Sequence, residues 1–148
     1  TQDLGLAVFR WAQIFAGNGT INTSDEREKE NVGHIVERVL DAWGRVPKRQ
    51  YRWAEAVAKK GADARIHFGI IAQEVKAVFE AEGLDPFAFG ILCYDEWNDD
   101  PENGIEAGNR YGVRYDQAAI LDAAYQTRRA DRMEARLSAL ERKLAAKG

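Results

Sequence analysis

The sequence predicts an α+β fold: a small mixed α/β domain followed by a long C-terminal helix that forms a coiled coil. Three observations carry that prediction. Short apolar runs bounded by glycine and asparagine read as strands, and two stretches with apolar residues three and four apart read as amphipathic helices. A final stretch without glycine or proline keeps one apolar seam for about thirty residues. The chain has 148 residues, 21 Lys+Arg, 24 Asp+Glu and a formal charge of −3. That length suits one domain, or a compact domain with an appendage, and can bury a core. At 45% hydrophobic and 30% charged, the composition is neither disordered nor membranous. No run of about 18 apolar residues predicts a transmembrane helix, and the first residues lack a signal-peptide pattern. The near-balanced charge argues against a nucleic-acid partner, and the single cysteine, Cys93, makes neither an internal disulfide nor a zinc site. Composition leaves a soluble globular protein and says nothing of its function.

Residues 1–23 carry few charges, the aromatics Phe9, Trp11 and Phe15, and the turn signal Gly17-Asn18-Gly19. They read as strands that cannot bury their own apolar groups, the end of a larger β-rich body. At Thr23 the composition switches to Ser24-Asp25-Glu26-Arg27-Glu28-Lys29-Glu30. Val32, Ile35, Val36, Val39, Leu40 and Trp43 then predict an amphipathic helix that includes His34 and stops near Gly44 and Pro47. Tyr51-Arg52-Trp53 and Ile66 to Ile71, which includes His67, read as strands joined by a Lys-Lys-Gly-Ala-Asp loop. Residues 72–82 predict a second helix ended by Gly83, which tolerates positive φ. Phe87 to Trp97 and Tyr111 to Tyr115 read as a β-hairpin around an acidic loop.

From Asp116 onward, Ala119, Ala123, Gln126, Ala130, Met133, Leu137, Leu140 and Leu144 recur on alternating steps of four and three. The flanks are charged, and thirty helical residues span about 45 Å, more than a small domain needs. Such a seam pairs with copies of itself, although it does not choose between two and three strands. The plainer alternative is a C-terminal helix packed on its own domain.

Chemistry-bearing residues are few. The sequence has no phosphate loop, no metal-spaced His or Cys and no His-Asp-Ser set, so no cofactor and no metal are expected. His34 and His67 read as structural. Asp95, Glu96, Asp99, Asp100 and Glu102 do not follow the alternating pattern of a Ca²⁺ loop and read as a solvated loop. Ser24 and Lys29 remain. A serine hydroxyl needs a base, and a lysine serves as one when burial favours its neutral amine. On residue grounds alone, the better reading of Thr23-Ser24-Asp25-Glu26 is a capping box with Lys29 exposed on the next turn.

The stretch from Asn22 to Val32 resembles the Ser-Asp-x-Arg-x-Lys-x-Asn-[Ile/Val] motif that opens the C-terminal intramolecular chaperone of phage tail spikes and tail fibres, of which the endosialidases are best known. The likeness continues through Phe68-Gly69-Ile70-Ile71-Ala72-Gln73-Glu74-Val75, Gly83-Leu84-Asp85 and Tyr111-Gly112-Val113-Arg114-Tyr115-Asp116. Upstream, Asp3-Leu4-Gly5, Arg10-Trp11 and Asn18-Gly19 resemble the stalk end that precedes such domains.

The resemblance implies an intramolecular chaperone that drives trimerisation and folding of a tail fibre or tailspike. It implies release by self-cleavage, with Ser24 as nucleophile, Lys29 as general base and the scissile bond among Thr23, Ser24 and Asp25. Ser24 Oγ reaches the Thr23 carbonyl through a five-membered ring, whereas a neighbouring chain's serine could attack the Ser24–Asp25 bond. Backbone N–H groups at the helix start after Ser24 are the natural oxyanion donors. Residues 1–23 would be the stalk end, 24–115 the chaperone core and 116–148 the coiled-coil helix, with Ala123, Gln126, Ala130, Met133, Leu137, Leu140 and Leu144 as the trimer seam. The partners implied are two copies of the same chain and the upstream fibre segment, with no nucleic acid and no membrane. Assembly would take place in the host cytoplasm, with the fibre ending in the virion tail. Three other readings are a non-cleaving trimerisation module, the autocleaving domain of membrane-bound transcription factors, and a receptor lectin. The last would need Trp43, Trp53 and Trp97 in an exposed cluster rather than in the core.

Overall fold

The computed structural model describes residues 5–11, 15 and 22–146. The Gly17-Asn18-Gly19 turn lies outside the described residues, and residues 5–11, expected as strand, form bends and irregular chain with no strand, having no partner strand to pair with. The chain divides into two compact units, Thr1–His34 with Tyr94–Arg110, and Ile35–Cys93 with Tyr111–Gly148.

The second unit holds the core. Helix α1 (Glu37–Trp43) is followed by strand β1 (Arg49–Tyr51), helix α2 (Ala54–Lys60), strand β2 (His67–Gly69) and helix α3 (Ala72–Ala81). β1 and β2 pair antiparallel, with Arg49 opposite Gly69 and Tyr51 opposite His67. Strands β3 (Leu92–Trp97) and β4 (Gly108–Val113) form a second two-stranded sheet, and helix α4 (Tyr115–Ala145) closes the chain. Trp43, Val75, Phe79 and Ile91 are the largest fully buried side chains, and Val39, Ala42, Val46, Leu92 and Ala118 complete the cluster.

Helix α3, its glycine stop at Gly83 (φ +67°) and α4 match the sequence reading. The β3–β4 pair is present as expected, but β3 begins only at Leu92, after a 3₁₀ turn at Pro86–Ala88. β4 is Gly108–Val113, with Tyr115 already in α4. The first helix does not match. Of the expected helix only Glu37–Trp43 is α-helical; before it stand a single 3₁₀ turn at Glu26–Glu28 and chain without regular structure, extended at Lys29 and Val36. Asn31 has φ +53°, a left-handed conformation that a continuing right-handed helix excludes. Val32 and Val36 are accordingly 75% and 64% exposed, off the helix that their spacing suggested, and His34 lies on the same extended segment.

The loop expected at Lys59-Lys60-Gly61-Ala62-Asp63 is instead the end of α2 and a 3₁₀ turn at Gly61–Asp63. Ala54, Glu55, Ala56, Ala58 and Lys59 favour helix, Glu55 and Lys59 pair at 2.5 Å across one turn, and Gly61 stops the helix at φ +56°. The strand assigned to Tyr51–Trp53 ends at Tyr51, and Trp53 becomes the N-cap of α2. Of the tryptophans, Trp43 is in the core. Trp53 is exposed, edge-on to Tyr51 at 5.3 Å.

Helix α4 docks on α1 along one face. Ala118 is buried, Leu121 and Tyr125 pack against the core, and Arg128 bridges Glu37 and Asp41 at 2.9 Å each. Arg132 reaches Glu37 at 2.9 Å. Gly44 makes room for Tyr125, whose ring a Cβ at that position would overlap. Asp122 accepts from buried Trp43 Nε1 at 3.1 Å and pairs with Lys48 at 3.0 Å. The Lys48 ammonium first, and then the Trp43 N–H, hold the Asp122 carboxyl below its ordinary range, against burial that pushes it up.

Two outcomes follow from this anchor. Asp122→Ala leaves the Trp43 N–H without its acceptor and lowers stability in urea melts by about 1–3 kcal/mol. Because the folded-state pKa of Asp122 is the lower one, its contribution is present above the unfolded pKa and disappears as pH falls through the folded value. Thermal melts from pH 7 downward therefore show the parent losing stability below about pH 4 more steeply than Asp122→Asn.

Candidate functional site

Ser24 and Lys29 lie in the first unit, on exposed chain around the 3₁₀ turn. Asp25 caps that turn: its Oδ1 accepts from Arg27 N at 2.9 Å. The Arg27 side chain folds back on the same carboxylate, Nε to Oδ1 at 3.0 Å and Nη2 to Oδ2 at 2.6 Å. Glu28 N donates to Asp25 O and Lys29 N to Glu26 O, at 3.2 and 3.1 Å, and Lys29 then leaves the turn in an extended conformation. This reversal sends the lysine side chain back along the chain. Lys29 Nζ donates to Ser24 Oγ and lies 3.4 Å from the Ser24 carbonyl oxygen.

The capping-box reading is corrected by this geometry. Asp25 supplies the capping oxygen, so the Ser24 hydroxyl faces the lysine instead of the turn's N–H groups. The arrangement joins a primary alcohol and a primary amine, the minimal pair for base-assisted attack on a carbonyl. Of the residues flanking the expected cut, Thr23 and Ser24 are exposed and Asp25 is half-buried. Asp25 and Arg27 act as a clamp that the residue reading passed over; an Asp whose side chain serves the N–H two residues on is the signal that reveals it. The clamp also sets the charge: the Arg27 side chain, and then its backbone N–H, hold the Asp25 carboxyl below the usual carboxylate range.

The expected seam lies in the other unit. Ala119, Ala123, Gln126, Ala130, Met133, Leu137, Leu140 and Leu144 are all exposed on α4, on a different face from the one docked on α1. Among the described residues no group of three or more His, Cys, Asp or Glu is placed to hold a metal ion. No helix among them is long and apolar enough to cross a membrane.

A peptidase family model described as "Chaperone of endosialidase" matches residues 24–84, a segment that begins on the serine of this pair. A solved structure described as a novel intramolecular chaperone is 41% identical, with a TM-score of 0.67 over 99% of that chain and 74% of this one. The chain belongs to the endosialidase-type chaperone family. The C-terminal domain of the bacteriophage T5 L-shaped tail fibre with its intramolecular chaperone domain is also similar, at 30% identity and a TM-score of 0.70 over 98% of this chain and 37% of that one. Among curated proteins, the tail spike protein of Escherichia virus K5 is 42% identical over 95% of this chain, and the side tail fibre protein pb1 of Escherichia phage T5 is 33% identical over 96%. The chain spans 24% and 11% of the lengths of those two proteins.

In this chaperone chain the clamp around Ser24 is testable by itself. Arg27→Ala removes the cation that favours the charged carboxylate, so the Asp25 titration followed by carbon NMR moves up toward the ordinary value. An unchanged midpoint would show that Arg27 does not hold Asp25.

Proposed function

We propose that this chain is the releasable assembly chaperone of a phage tail fibre or tailspike, a homotrimer that cuts itself free at Ser24. The contact between Ser24 Oγ and Lys29 Nζ carries the catalytic part of this reading. Lys29, as the neutral amine, takes the hydroxyl proton while Oγ attacks a carbonyl carbon. Attack on Thr23 C within the chain breaks the Thr23–Ser24 amide, the lysine ammonium returns the proton to the Ser24 amine, and water hydrolyses the resulting ester. Attack on Ser24 C by a neighbouring chain's serine follows the same sequence, with the Asp25 amine as leaving group. N–H groups that open the 3₁₀ turn are the candidate oxyanion donors.

A solvated lysine is protonated at neutral pH, and burial favours the neutral amine. Lys29 is exposed in the single chain, so the proposal assigns its desolvation to assembly. Cleavage then follows correct assembly. Residues 1–23 serve as the stalk end, 24–115 as the chaperone core and 116–148 as the coiled-coil helix, with Ala123, Gln126, Ala130, Met133, Leu137, Leu140 and Leu144 as the trimer seam. Assembly takes place in the host cytoplasm and leaves the fibre in the virion tail. The exposure of Lys29 also favours a second reading, a trimerisation module that stays attached.

Intact-mass measurement on a protein carrying the upstream stalk decides between them. The parent yields two fragments that meet beside Ser24. Ser24→Ala stays whole, and Lys29→Met cuts about 10²–10⁴-fold more slowly, the usual loss on removing a general base. A trimeric parent that never cuts supports the permanent module.

A further inference from the structure

We propose that the charges flanking the exposed seam of α4 specify parallel, in-register assembly of identical chains, through Arg129 with Glu134 of the partner subunit and Arg136 with Glu141 of the partner subunit. This rests on the self-association reading above and adds the groups that set its direction and register.

In the heptad defined by the seam, Ala123, Ala130, Leu137 and Leu144 occupy position a, and Gln126, Met133 and Leu140 occupy position d. Arg129, Arg136 and Lys143 then fall at g, and Glu134 and Glu141 at e. One flank is basic and the other acidic along about the last four turns of the seam, from Arg129 to Lys143. Parallel helices in register bring each g residue against the e residue five positions later on the neighbour, which gives attraction at both sites. Reversing one helix brings g against g and e against e, so arginine meets arginine and glutamate meets glutamate. A one-heptad slip of one helix loses one of the two pairs on one of its sides and also withdraws a heptad of the apolar seam from contact.

Among the described residues none of these four charges takes part in an ion pair within the chain. None of Arg129, Glu134, Arg136 and Glu141 has an opposite charge three or four residues away, where helix surface pairs form. Of the charged residues of α4 that bridge to the rest of their unit, Asp122, Arg128 and Arg132, none lies beyond Arg132. Met133, Leu137, Leu140 and Leu144, between the two flanks, are 57–71% exposed. An apolar strip with one basic and one acidic border is complementary to a parallel copy of itself.

The test uses the full chain in analytical ultracentrifugation over a dilution series at low salt, with Trp43 fluorescence as the check on folding. Glu134→Arg with Glu141→Arg makes both flanks basic, and Arg129→Glu with Arg136→Glu makes both acidic. Each double variant should need a chain concentration about tenfold higher or more for half-assembly, and 1 M salt should narrow that gap. The fourfold reversal should assemble like the parent, and an equimolar mixture of the two double variants should co-assemble. Double variants that assemble like the parent, or a well-folded fourfold reversal that stays dissociated, would overturn the charge assignment while leaving self-association intact. A parent that remains monomeric at every concentration would overturn the self-association reading itself.

Discussion

The structure depends on how α4 is docked: one face lies on α1, and the face that carries the seam stays exposed. The first half of α4 is tied to α1 by Trp43, which is buried and hydrogen-bonded to Asp122, and by Arg128, which spans Glu37 and Asp41. These ties fix the rotation of the helix about its own axis. Because the docked residues Ala118, Leu121, Tyr125, Arg128 and Arg132 follow steps of three and four, they use one face completely. The seam residues follow the same period from a different starting point and stay on another face. A helix docked by its seam would have no surface left for other copies, and a helix not docked at all would not transmit their arrangement to the core.

The contact between Ser24 and Lys29 obeys a different constraint. In a continuous α-helix, residues five apart point about 140° away from each other. A helix running from Ser24 through Trp43 would therefore carry Lys29 off to another side. The chain instead makes one 3₁₀ turn, leaves it extended at Lys29 and turns again through the positive φ of Asn31. The break that removes Val32 and Val36 from the helix is the same feature that lets the amine meet the hydroxyl. Asp25 and Arg27 hold the turn from outside, so Ser24 is not used as its cap.

What the sequence made legible follows from how many residues report each feature. Helix α4 and its seam repeat one signal over many turns, and α3 has a buried face and a glycine stop, so both were readable. Helix α2 is seven residues long with no clean apolar face, so the sequence does not announce it and its last two residues, Lys59 and Lys60, read as loop. The first helix was read too long because apolar spacing persists through residues that are extended; periodicity does not register the backbone angle of Asn31. Arg128 and Arg132 looked like ordinary solvated flank, since their acidic partners lie about ninety residues earlier in the chain. Ser24 and Lys29 were legible through the family resemblance. From residue type alone, a helix cap is the better explanation of them.

A releasable clamp suits the folding problem that an intertwined fibre presents. Inter-chain strand pairing is non-local and slow, and misregistration is its hazard. Holding three chain ends together raises their effective concentration and sets where pairing begins. Cutting afterwards leaves the fibre protected by its unfolding barrier. The central claim is that the cut waits for assembly, and the direct measurement is the cleavage rate during refolding as a function of chain concentration, on a protein that carries the upstream stalk. The account predicts a lag, and a rate that rises steeply with concentration until trimerisation is no longer limiting. A first-order rate that stays constant down to concentrations where the chains are monomeric would contradict it.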